Sequence, residues 1–588
     1  MSAFAGIYCR RAGDSVPDKV RDALRRIVSR GGLQQLEELA RPGVFVTKID
    51  VGAFGAPGMI ADAEGLAVLA GEPLLLGDDR RTSRTRDSDL RELHEAWLRD
   101  DDSALVRVRG TFCAAHYRAE GHVLRLVVDK LGVRPLYYWA DDRFVVFATS
   151  MRVLEQLDIV PKTMDTRAVT ELAALGYPLA ERTPYVNIRM MSAGTVLRAS
   201  PGGIAETVYW RWDTIPDSHE PEAVLLDRAH DRFLEAVSAR QRTDRTAVAF
   251  LSGGLDSRCI VGALREAGAE VLSFNFAVDG TQDQVFARLF ADAIGAHHHE
   301  LPVKAEVELR FSTMLAEALG ASAHRTAWPP ERERLVWSGD GGSVGTGFVY
   351  LTREMVAAAR RGEYAGAADL FVRQQFAYAM PRILQPKAAR ALADAPRRGI
   401  LEEMQRPTCT DAGRNLHVFL LLNDQRRHLA RHFEEIDEHR MELQLPFFDS
   451  EFLRVMLEIP LDSGLLHGFY NTWLSRFAPA LSSVPWQAYP GHVPCPIPVP
   501  DGLAYQWGKG SKDAVHRARK REVLTGFAES LGVAGYPSGL LRTGRLRIAE
   551  FLYRFSVSDY SYLLRYATAY AKYGARAGGR WQLPTWSN

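Results

Sequence analysis

Apolar and polar residues alternate with a short period through the first third of the chain, as in β-strands that bury one face. The strand-like runs are rich in β-branched and aromatic residues and span 43–51, 65–71, 113–130, 135–150 and 194–200. Helical spacing interrupts them around 17–30 and 88–99. The pattern predicts a strand-rich first domain over residues 1–210.

Beyond the prolines and turn-forming residues of 210–223, the pattern changes. Helical spacing in 223–240 is followed by alternating strand and helix patterns at 245–251, 257–268, 270–278, 283–295 and 333–340. This alternation predicts a parallel α/β sheet with crossover helices. From about 351 the chain is predicted to be mostly helical, and we expect a second domain over residues 220–588.

One segment of this second domain cannot be helical. Residues 484–500 contain six prolines, which have no backbone N–H to continue a helix. The segment also contains Trp486 and Tyr489, and a plain linker would be less aromatic. We therefore expect an ordered loop there.

Composition and charge narrow the classes of function. Lys+Arg number 73 and Asp+Glu 72, so the net charge of +1 argues against a nucleic-acid surface over the whole chain, and no nucleic-acid partner is expected. The five cysteines form no C-x-x-C pair, which argues against a disulfide framework and fits a reducing, cytoplasmic location. No run of about 18 apolar residues occurs, so no membrane span is expected.

The stretch LSGGLDS, residues 251–257, carries the strongest chemical signal. It follows an apolar strand and opens a helix, so its backbone N–H groups form an anion site suited to phosphate. No G-K-[ST] follows, and Asp256 lies inside the cradle instead, as expected if a magnesium ion bridges it to phosphates. The motif predicts a nucleotide held with Mg²⁺; the alternative is an ordinary strand–turn–helix junction.

This loop resembles the pyrophosphate loop of ATP pyrophosphatases of the asparagine synthetase type, and other stretches agree in order and spacing. VDKLGVRPLYY (128–138) and FATSMRVLEQL (147–157) resemble the end of that family's amidotransferase-like first domain. The second-domain stretches that resemble the family are SFNF (273–276), WSGDGGSVGTG (337–347) and MELQLPFFDSEFL (441–453). The resemblance spans residues 4 to about 460.

The resemblance implies a fold and a chemistry. It implies an N-terminal Ntn-hydrolase-like αββα sandwich, followed by an adenine-nucleotide α-hydrolase (PP-loop) α/β domain with a helical C-terminal part. In the family, the first domain releases ammonia from glutamine with an N-terminal cysteine, and the second adenylates a carboxylate that an amine then attacks. Here Ala5 stands where the cysteine is expected. Alanine has no thiolate, so the glutaminase half is predicted to be inert; the alternative is processing that exposes Cys9.

Without ammonia from glutamine, the amine has to come from a substrate. β-Lactam synthetases, carbapenam synthetases and lasso peptide cyclases are the branches with this property. The altered N-terminus and the stretches 459–486 and 422–433 most resemble the cyclases, which join an N-terminal amine to an Asp or Glu side chain of a precursor peptide. This implies a precursor peptide as substrate, with a leader-binding protein and a leader peptidase as further partners. The alternatives are an asparagine synthetase, a small-molecule amide ligase, a tRNA-modifying pyrophosphatase and an inactive peptide-binding scaffold.

The resemblance also assigns site residues for ATP and Mg²⁺. The residues expected to bind ATP are Leu251, Ser252, Gly253, Gly254, Asp256 and Ser257 in the loop, with Phe274, Phe276, Ser338 and Gly339 around adenine. The metal is expected at Asp256 and Asp340, because Ser343 replaces the aspartate that usually ends the second glycine-rich loop. Asp340 is alternatively a catalytic residue.

Acid–base and pyrophosphate residues complete the expected site. Asp424 and Glu442 are the acids expected to take a proton from the amine or to orient it. Lys509 and Lys512 are expected to neutralise the leaving pyrophosphate. Glu442 is equally a structural acid paired with Arg440 or Arg426, and the two lysines are equally solvated loop residues.

Overall fold

The computed structural model describes residues 3–30, 36–75, 85–301, 331–332, 334–434, 440–505 and 513–586, except for the side chains of residues 431 and 513–518. Thirteen described strands lie before residue 210. In chain order they are β1 (Ala3–Cys9), β2 (Leu36–Arg41), β3 (Val44–Ile49), β4 (Met59–Ala61), β5 (Gly65–Gly71), β6 (Phe112–Arg118), β7 (Val123–Val128), β8 (Tyr137–Ala140), β9 (Phe144–Ala148), β10 (Met164–Asp165), β11 (Arg189–Met190), β12 (Thr195–Ser200) and β13 (Gly203–Val208).

These strands form an αββα sandwich. One antiparallel sheet has the order β11-β8-β9-β1-β3-β2 and the other the order β13-β12-β7-β6-β5-β4. Alternate side chains of both sheets, including Phe4, Phe147 and Leu126, fill the space between them. The helix Asp18–Val28 covers the outer face of the first sheet and Arg86–Leu98 that of the second. The αββα sandwich expected from the resemblance is confirmed.

The second part of the chain contains a parallel five-stranded sheet. Its strands are β14 (Thr246–Phe250), β15 (Glu270–Asn275), β16 (His297–Glu300), β17 (Leu335–Trp337) and β18 (Glu442–Gln444), in the order β16-β15-β14-β17-β18. The helices Leu255–Glu266 and Gln282–Ile294 connect the first three. The strand order reverses between β14 and β17, which is where open parallel sheets bind ligands beyond their carboxyl ends.

The remainder of the chain is mostly helical, as predicted. The other described helices are Met151–Gln156, Thr166–Leu175, Glu222–Gln241, Gly342–Gly345, Arg353–Arg360, Tyr364–Gln375, Pro386–Leu392, Ala395–Gln405, Arg414–Phe419, Arg426–Glu434, Ser450–Glu458, Leu461–Gly464, Gly468–Trp473, Ala480–Ser483, Asp513–Leu531, Thr543–Arg554 and Ser561–Arg576, with a π-helix at Leu420–Gln425. None of the described helices has the length and apolarity to cross a bilayer.

The last helices return to the strand-rich part of the chain. Tyr570 and Thr170 share a hydrogen bond of 2.6 Å between their hydroxyl groups. The short strand β19 (Trp581–Gln582) pairs in parallel with β10. The helix Ser561–Arg576 and β19 therefore pack on the first 210 residues, and the boundary predicted near 210–220 stays a prediction.

Buried ion pairs join the strand-rich part to the parallel sheet. Arg109 donates to both carboxylate oxygens of Asp449 at 2.8–3.0 Å, and Arg240 donates to Asp449 at 2.9 Å. Arg134 pairs with Glu442 at the start of β18, and all five side chains are at most a few per cent exposed. Each buried charge depends on its partner, because an unpaired one is costly to desolvate.

We predict that Asp449→Asn destabilises the protein strongly. Burial alone would raise the pKa of Asp449, but the guanidinium groups of Arg109 and Arg240 hold it below its ordinary value. Losing this charge should lower the free energy of unfolding by about 3–5 kcal/mol in urea denaturation. A depressed pKa contributes stability that is lost as pH falls through the folded-state value, so the variant should also lose less stability on acidification.

The matched control is Asp462→Asn. Asp462 pairs with Arg360 at 3.1 Å, but its side chain is 62% exposed, so we expect a change of about 0–1 kcal/mol. Similar losses in the two variants would contradict the importance of the buried pair.

Candidate active site

Two glycine-rich loops meet beyond the carboxyl ends of neighbouring strands. The loop 251–254 follows β14 and the loop 338–341 follows β17, and the two strands pair in parallel. The close approach requires glycine in the second loop. A Cβ on Gly339 would lie 2.5 Å from the backbone nitrogen of Ser257, and one on Gly342 would lie 2.5 Å from the Asp256 carboxyl carbon.

The first loop satisfies its own backbone donors. The N–H groups of Ser252 and Gly254 donate to the hydroxyl oxygens of Ser257 and Ser252 at 2.9 and 3.2 Å. The N–H of Gly253 donates to Asp283 Oδ1 at 3.0 Å. A phosphate entering the loop has to replace these acceptors, and the Asp283 carboxylate would repel it unless a cation lies between the two.

Asp256 connects three segments of the site. Its Oδ1 accepts a 2.7 Å hydrogen bond from the Tyr470 hydroxyl, and its Oδ2 accepts one from the Ser343 hydroxyl. Burial raises the pKa of Asp256 to about 6, and the charge of Asp340 acts in the same direction. The carboxyl group is therefore mostly ionised at neutral pH, and a cation bound nearby would stabilise its charged form further.

The carboxylates of Asp256 and Asp340 suit a magnesium site. Asp340 is exposed at the end of the second loop, where its Oδ2 accepts from the Ser338 hydroxyl at 2.7 Å. The described residues contain no group of three or more His, Cys, Asp or Glu side chains that would hold a metal alone. Mg²⁺ is commonly bound by one or two carboxylates together with substrate phosphates, so this donor set fits it.

A cleft of about 730 Å³ opens beside the loops. Its described lining is Ser252, Gly254, Leu255, Asp256, Asp283, Ser343, Val349, Tyr350, Gln374, His467, Asn471, Trp486, Gln487, Ala488, Tyr489, Pro490, Val493 and Tyr505. This set contains four aromatic residues and two carboxylates, but no lysine or arginine. The cleft therefore offers aromatic and amide surface rather than fixed positive charge.

The proline-rich segment 484–500 forms one wall of the cleft, and it is ordered without helix or strand, as predicted. The Gln487 N–H donates to the Gly253 carbonyl at 2.8 Å, which joins the wall to the first loop. The buried guanidinium of Arg258 donates to the carbonyls of Val484 and Pro485 at 2.7 and 2.8 Å. Proline-rich backbone lacks internal hydrogen bonds, so these contacts hold its shape.

Several non-glycine residues around the cleft have left-handed backbone conformations. The φ angles of Tyr350, Leu466 and His467 are 74°, 58° and 65°, each costing about 1–3 kcal/mol. His467 Nδ1 lies 2.6 Å from His492 Nδ1, so the two nitrogens share one hydrogen. Burial and His492 lower the pKa of His467 to about 3, so it stays neutral. Such strain typically clusters at functional sites.

The residues expected around adenine occupy the same sheet edge. Phe274 is fully buried in β15, and its carbonyl accepts from Leu251 N–H at 2.8 Å. Phe276 follows the end of β15 and is half-buried. Ser338 and Gly339 follow β17, and the Ser338 N–H donates to the Gln444 carbonyl at 3.0 Å. None of these four lies among the residues that line the described cleft.

Asp424 and Glu442 have different environments. Asp424 lies in the π-helix and accepts a hydrogen bond from the Tyr177 hydroxyl at 3.1 Å. Burial raises the pKa of the cleft residue Tyr350, and the charge of Asp424 acts in the same direction. π-Helices occur frequently at functional sites. Glu442 is fully buried and pairs with Arg134, so its contacts favour the structural role, with a partner other than the expected Arg440 or Arg426. Lys509 and Lys512 lie outside the described residues.

The start of the chain contains no exposed thiol. Ala5 is fully buried in the middle of β1, paired with Thr47 of β3 and Ala148 of β9. Cys9 is fully buried, and burial raises the pKa of its thiol to about 11. Neither residue offers the thiolate that nucleophilic attack on glutamine needs.

Sequence reasoning missed Asp283 and Tyr470, which contact the first loop directly. Asp283 lies in the first turn of the helix Gln282–Ile294, where an acidic residue is common and gives no particular signal. Tyr470 lies 214 residues beyond Asp256 in the chain, and no pattern connects the two.

Comparisons with known proteins match two parts of the chain. A glutamine amidotransferase domain model matches residues 76–210, and an asparagine synthase model matches residues 228–321. Together with the relatives below, these matches support the asparagine synthetase-like superfamily.

The curated relatives match over a limited length. The putative asparagine synthetase (glutamine-hydrolyzing) 2 of Methanocaldococcus jannaschii is 28% identical over 233 residues, which cover 36% of this chain and 44% of that protein. Asparagine synthetase (glutamine-hydrolyzing) 1 of Bacillus subtilis is 27% identical over 214 residues, covering 36% of this chain and 33% of that protein. The chain thus matches less than half the length of either relative.

Among solved structures, the allosteric regulatory enzyme of purine biosynthesis overlaps 51% of this chain and 80% of its own at 12% identity. Its TM-score of 0.25 is too low to support an inference about this chain.

We predict that Gly342→Ala weakens binding of ATP with Mg²⁺. The new methyl group would collide with the Asp256 carboxyl and displace it from Ser343 and Tyr470. Loss of one charge-assisted interaction should weaken binding roughly tenfold to a hundredfold in calorimetric titration. The control is Gly366→Ala, where a Cβ meets nothing within 4 Å; equal binding by the two variants would argue against a role for Asp256.

Proposed function

We propose that this chain, which matches a glutamine amidotransferase domain model and an asparagine synthase model, is an ATP-dependent, AMP-forming ligase that makes an amide bond. The observation that carries this proposal is the loop 251–257, which places Asp256 at the point where the strand order of the parallel sheet reverses. ATP and Mg²⁺ are the ligands that this loop suits. The matches cover only parts of the chain, and the loop geometry supports the same chemistry independently.

The proposed reaction has two steps. A substrate carboxylate attacks the α-phosphorus of ATP and pyrophosphate leaves; an amine then attacks the acyl-adenylate and releases AMP. Asp256 and Asp340 would hold Mg²⁺, which supplies positive charge at the departing pyrophosphate. The described lining has no lysine or arginine, so we assign the remaining cation to Lys509 or Lys512, which follow the cleft residue Tyr505 in the chain.

Asp424 is proposed to take the proton from the attacking amine. Burial raises the pKa of the Tyr350 and Tyr489 hydroxyl groups, and the charge of Asp424 acts in the same direction on both. Both tyrosines line the cleft. The hydrogen bonds from Tyr177 and Gln425 hold the Asp424 side chain in place, which positions a base before substrate arrives.

For the substrate, we propose a precursor peptide whose N-terminal amine is joined to its own Asp or Glu side chain, as in lasso peptide biosynthesis. The absence of a thiolate at Ala5 leaves no ammonia source in the first domain, so the amine has to arrive with the substrate. A free aspartate carries an extra carboxylate that needs a cation, whereas the described lining offers aromatic rings and amides. A leader-binding protein and a leader peptidase are the further partners proposed.

Asparagine synthesis from free ammonia is the second candidate, because it fits the relatives equally well. A β-lactam synthetase-like ligase for a small molecule would use the same two steps. An inactive peptide-binding scaffold would retain the cleft but release no AMP.

We predict that a leader-free precursor peptide incubated with enzyme, ATP and Mg²⁺ loses one water, while AMP and pyrophosphate appear. Mass spectrometry detects the ring, because one molecule loses water without joining another. Control peptides carry an acetylated N-terminus or Asn in place of the acceptor Asp, and both should stay linear. If aspartate and ammonia give asparagine while peptides stay linear, the cyclase proposal is wrong and the second candidate holds.

We also predict that Asn471→Leu separates function from stability. Asn471 lines the cleft, and in the described chain both atoms of its amide are buried without a hydrogen-bond partner. An unpaired buried amide lowers the stability of the fold by about 1–3 kcal/mol. We propose that the protein tolerates this cost because the Asn471 amide forms hydrogen bonds with the peptide backbone of the bound substrate. The variant should therefore unfold at an equal or higher temperature while cyclisation falls at least roughly tenfold.

The control for Asn471→Leu is Thr472→Val on the adjacent exposed position. It should change neither the unfolding temperature nor the cyclisation rate appreciably. A less stable Asn471→Leu variant with unchanged cyclisation would show that the amide has a structural role instead.

A further inference from the structure

An exposed apolar surface lies on the helix Thr543–Arg554 and the turn that follows it. Ile548, Phe551 and Phe555 are 63%, 58% and 62% exposed and recur at helical spacing on one face. The rings of Phe551 and Phe555 contact each other, with centroids 4.7 Å apart. Apolar residues that cluster in this way, rather than singly, typically mark an interaction site.

A groove of about 510 Å³ adjoins this helix face. We call it the C-terminal groove; its lining comes from the segments 378–383, 545–552 and 560–563 and is mostly apolar. Ile548 belongs both to the groove and to the exposed face. A concave apolar groove beside a protruding helix suits an inserted side chain, and a flat bilayer surface would leave it unfilled.

The charge around the C-terminal groove is mostly positive. Arg382 and Arg545 line it, and Arg542 and Arg547 lie on the same helix or its cap. Within the described chain, no carboxylate pairs with any of these four arginines. The stretch 540–557 contains four arginines and one acid, Glu550, which pairs with Arg554 at 2.6 Å. A second copy of this chain would bring like charges together, so self-association through this face is disfavoured.

The groove is also close to the cleft along the chain. Gln374 lines the cleft and Tyr378 lines the groove, and four residues span at most about 15 Å. Between them, Phe376 is 79% exposed and has a left-handed φ of 52°. Phe376 is the C-cap of the helix Tyr364–Gln375, so this left-handed backbone conformation ends the helix and leaves the ring exposed.

From these observations we propose that the C-terminal groove docks an acidic, amphipathic segment of a partner protein. The apolar side chains of that segment fill the groove and cover Ile548, Phe551 and Phe555. Its carboxylates pair with the four unpaired arginines at the rim, which gives orientation and rapid association. The proposal does not depend on the chemistry assigned to the cleft, and it places the bound partner beside the cleft entrance.

The test uses the full-length protein and a fluorescent synthetic peptide of about four helical turns. The peptide carries Leu and Phe at positions i, i+3 and i+7 and Glu elsewhere. We expect saturable binding by fluorescence anisotropy that weakens with added salt. A peptide with the same composition in scrambled order and one with Lys in place of Glu should bind at least roughly tenfold more weakly.

Variants of the protein locate the site. Phe551→Ser and Arg545→Glu should each weaken binding roughly tenfold, because one removes an apolar anchor and the other reverses a rim charge. Both positions are exposed or rim residues, and circular dichroism should show an unchanged fold. Val106→Ser, at a 50% exposed position on the first domain, is the matched control and should bind normally.

Three results would overturn the proposal. If Phe551→Ser and Arg545→Glu leave peptide binding unchanged, the peptide binds at another site. Binding to phosphatidylglycerol vesicles that both variants abolish, with no peptide binding, would make the face a membrane contact. Sedimentation of the wild type as a dimer that Phe551→Ser converts to a monomer would make it an interface between copies.

Discussion

The site depends on one carboxylate, that of Asp256, and on how closely three segments approach it. Tyr470 and Ser343 donate to its two oxygens, so the helix 468–473 and the second glycine-rich loop are both held against the first loop. Gly339 and Gly342 permit that approach, because a single methyl group at either position would collide with residues 256–257. The close packing that holds the three segments together also buries the Asp256 carboxyl group, and this burial raises its pKa to about 6.

The cleft is built outward from this point by contacts that are not local in sequence. The proline-rich wall contains no helix or strand, and it is held in place by hydrogen bonds to the Gly253 carbonyl and from the Arg258 guanidinium. Tyr350 and His467, both in strained backbone conformations, contact this wall, because Tyr350 packs against Tyr489 and His467 against His492. The cleft is thus bordered partly by strained and irregular backbone, while the regular sheet carries the loop 251–254.

Sequence periodicity predicted most of the sandwich strands and the alternating elements of the parallel sheet, because burial on one or both faces leaves a clear pattern. It did not predict β1, although all seven of its residues are buried, as are those of the predicted strand β5. The loop 251–257 was recognisable because its chemistry is contiguous. The partner of Glu442 was not, because Arg134 lies 308 residues away and charge pairing leaves no periodic trace. The return of β19 to β10 was hidden for the same reason.

The buried ion pairs between the two parts of the chain determine which part of the chain the other depends on. Ala5 fits its buried place in β1, so the first domain folds without a nucleophile at this position. Deletion of the first domain would destabilise the rest of the chain, because Asp449 and Glu442 would lose the counter-ions that Arg109 and Arg134 supply. The strand-rich domain is therefore needed for the charge balance of the parallel-sheet part, whether or not it carries out chemistry of its own.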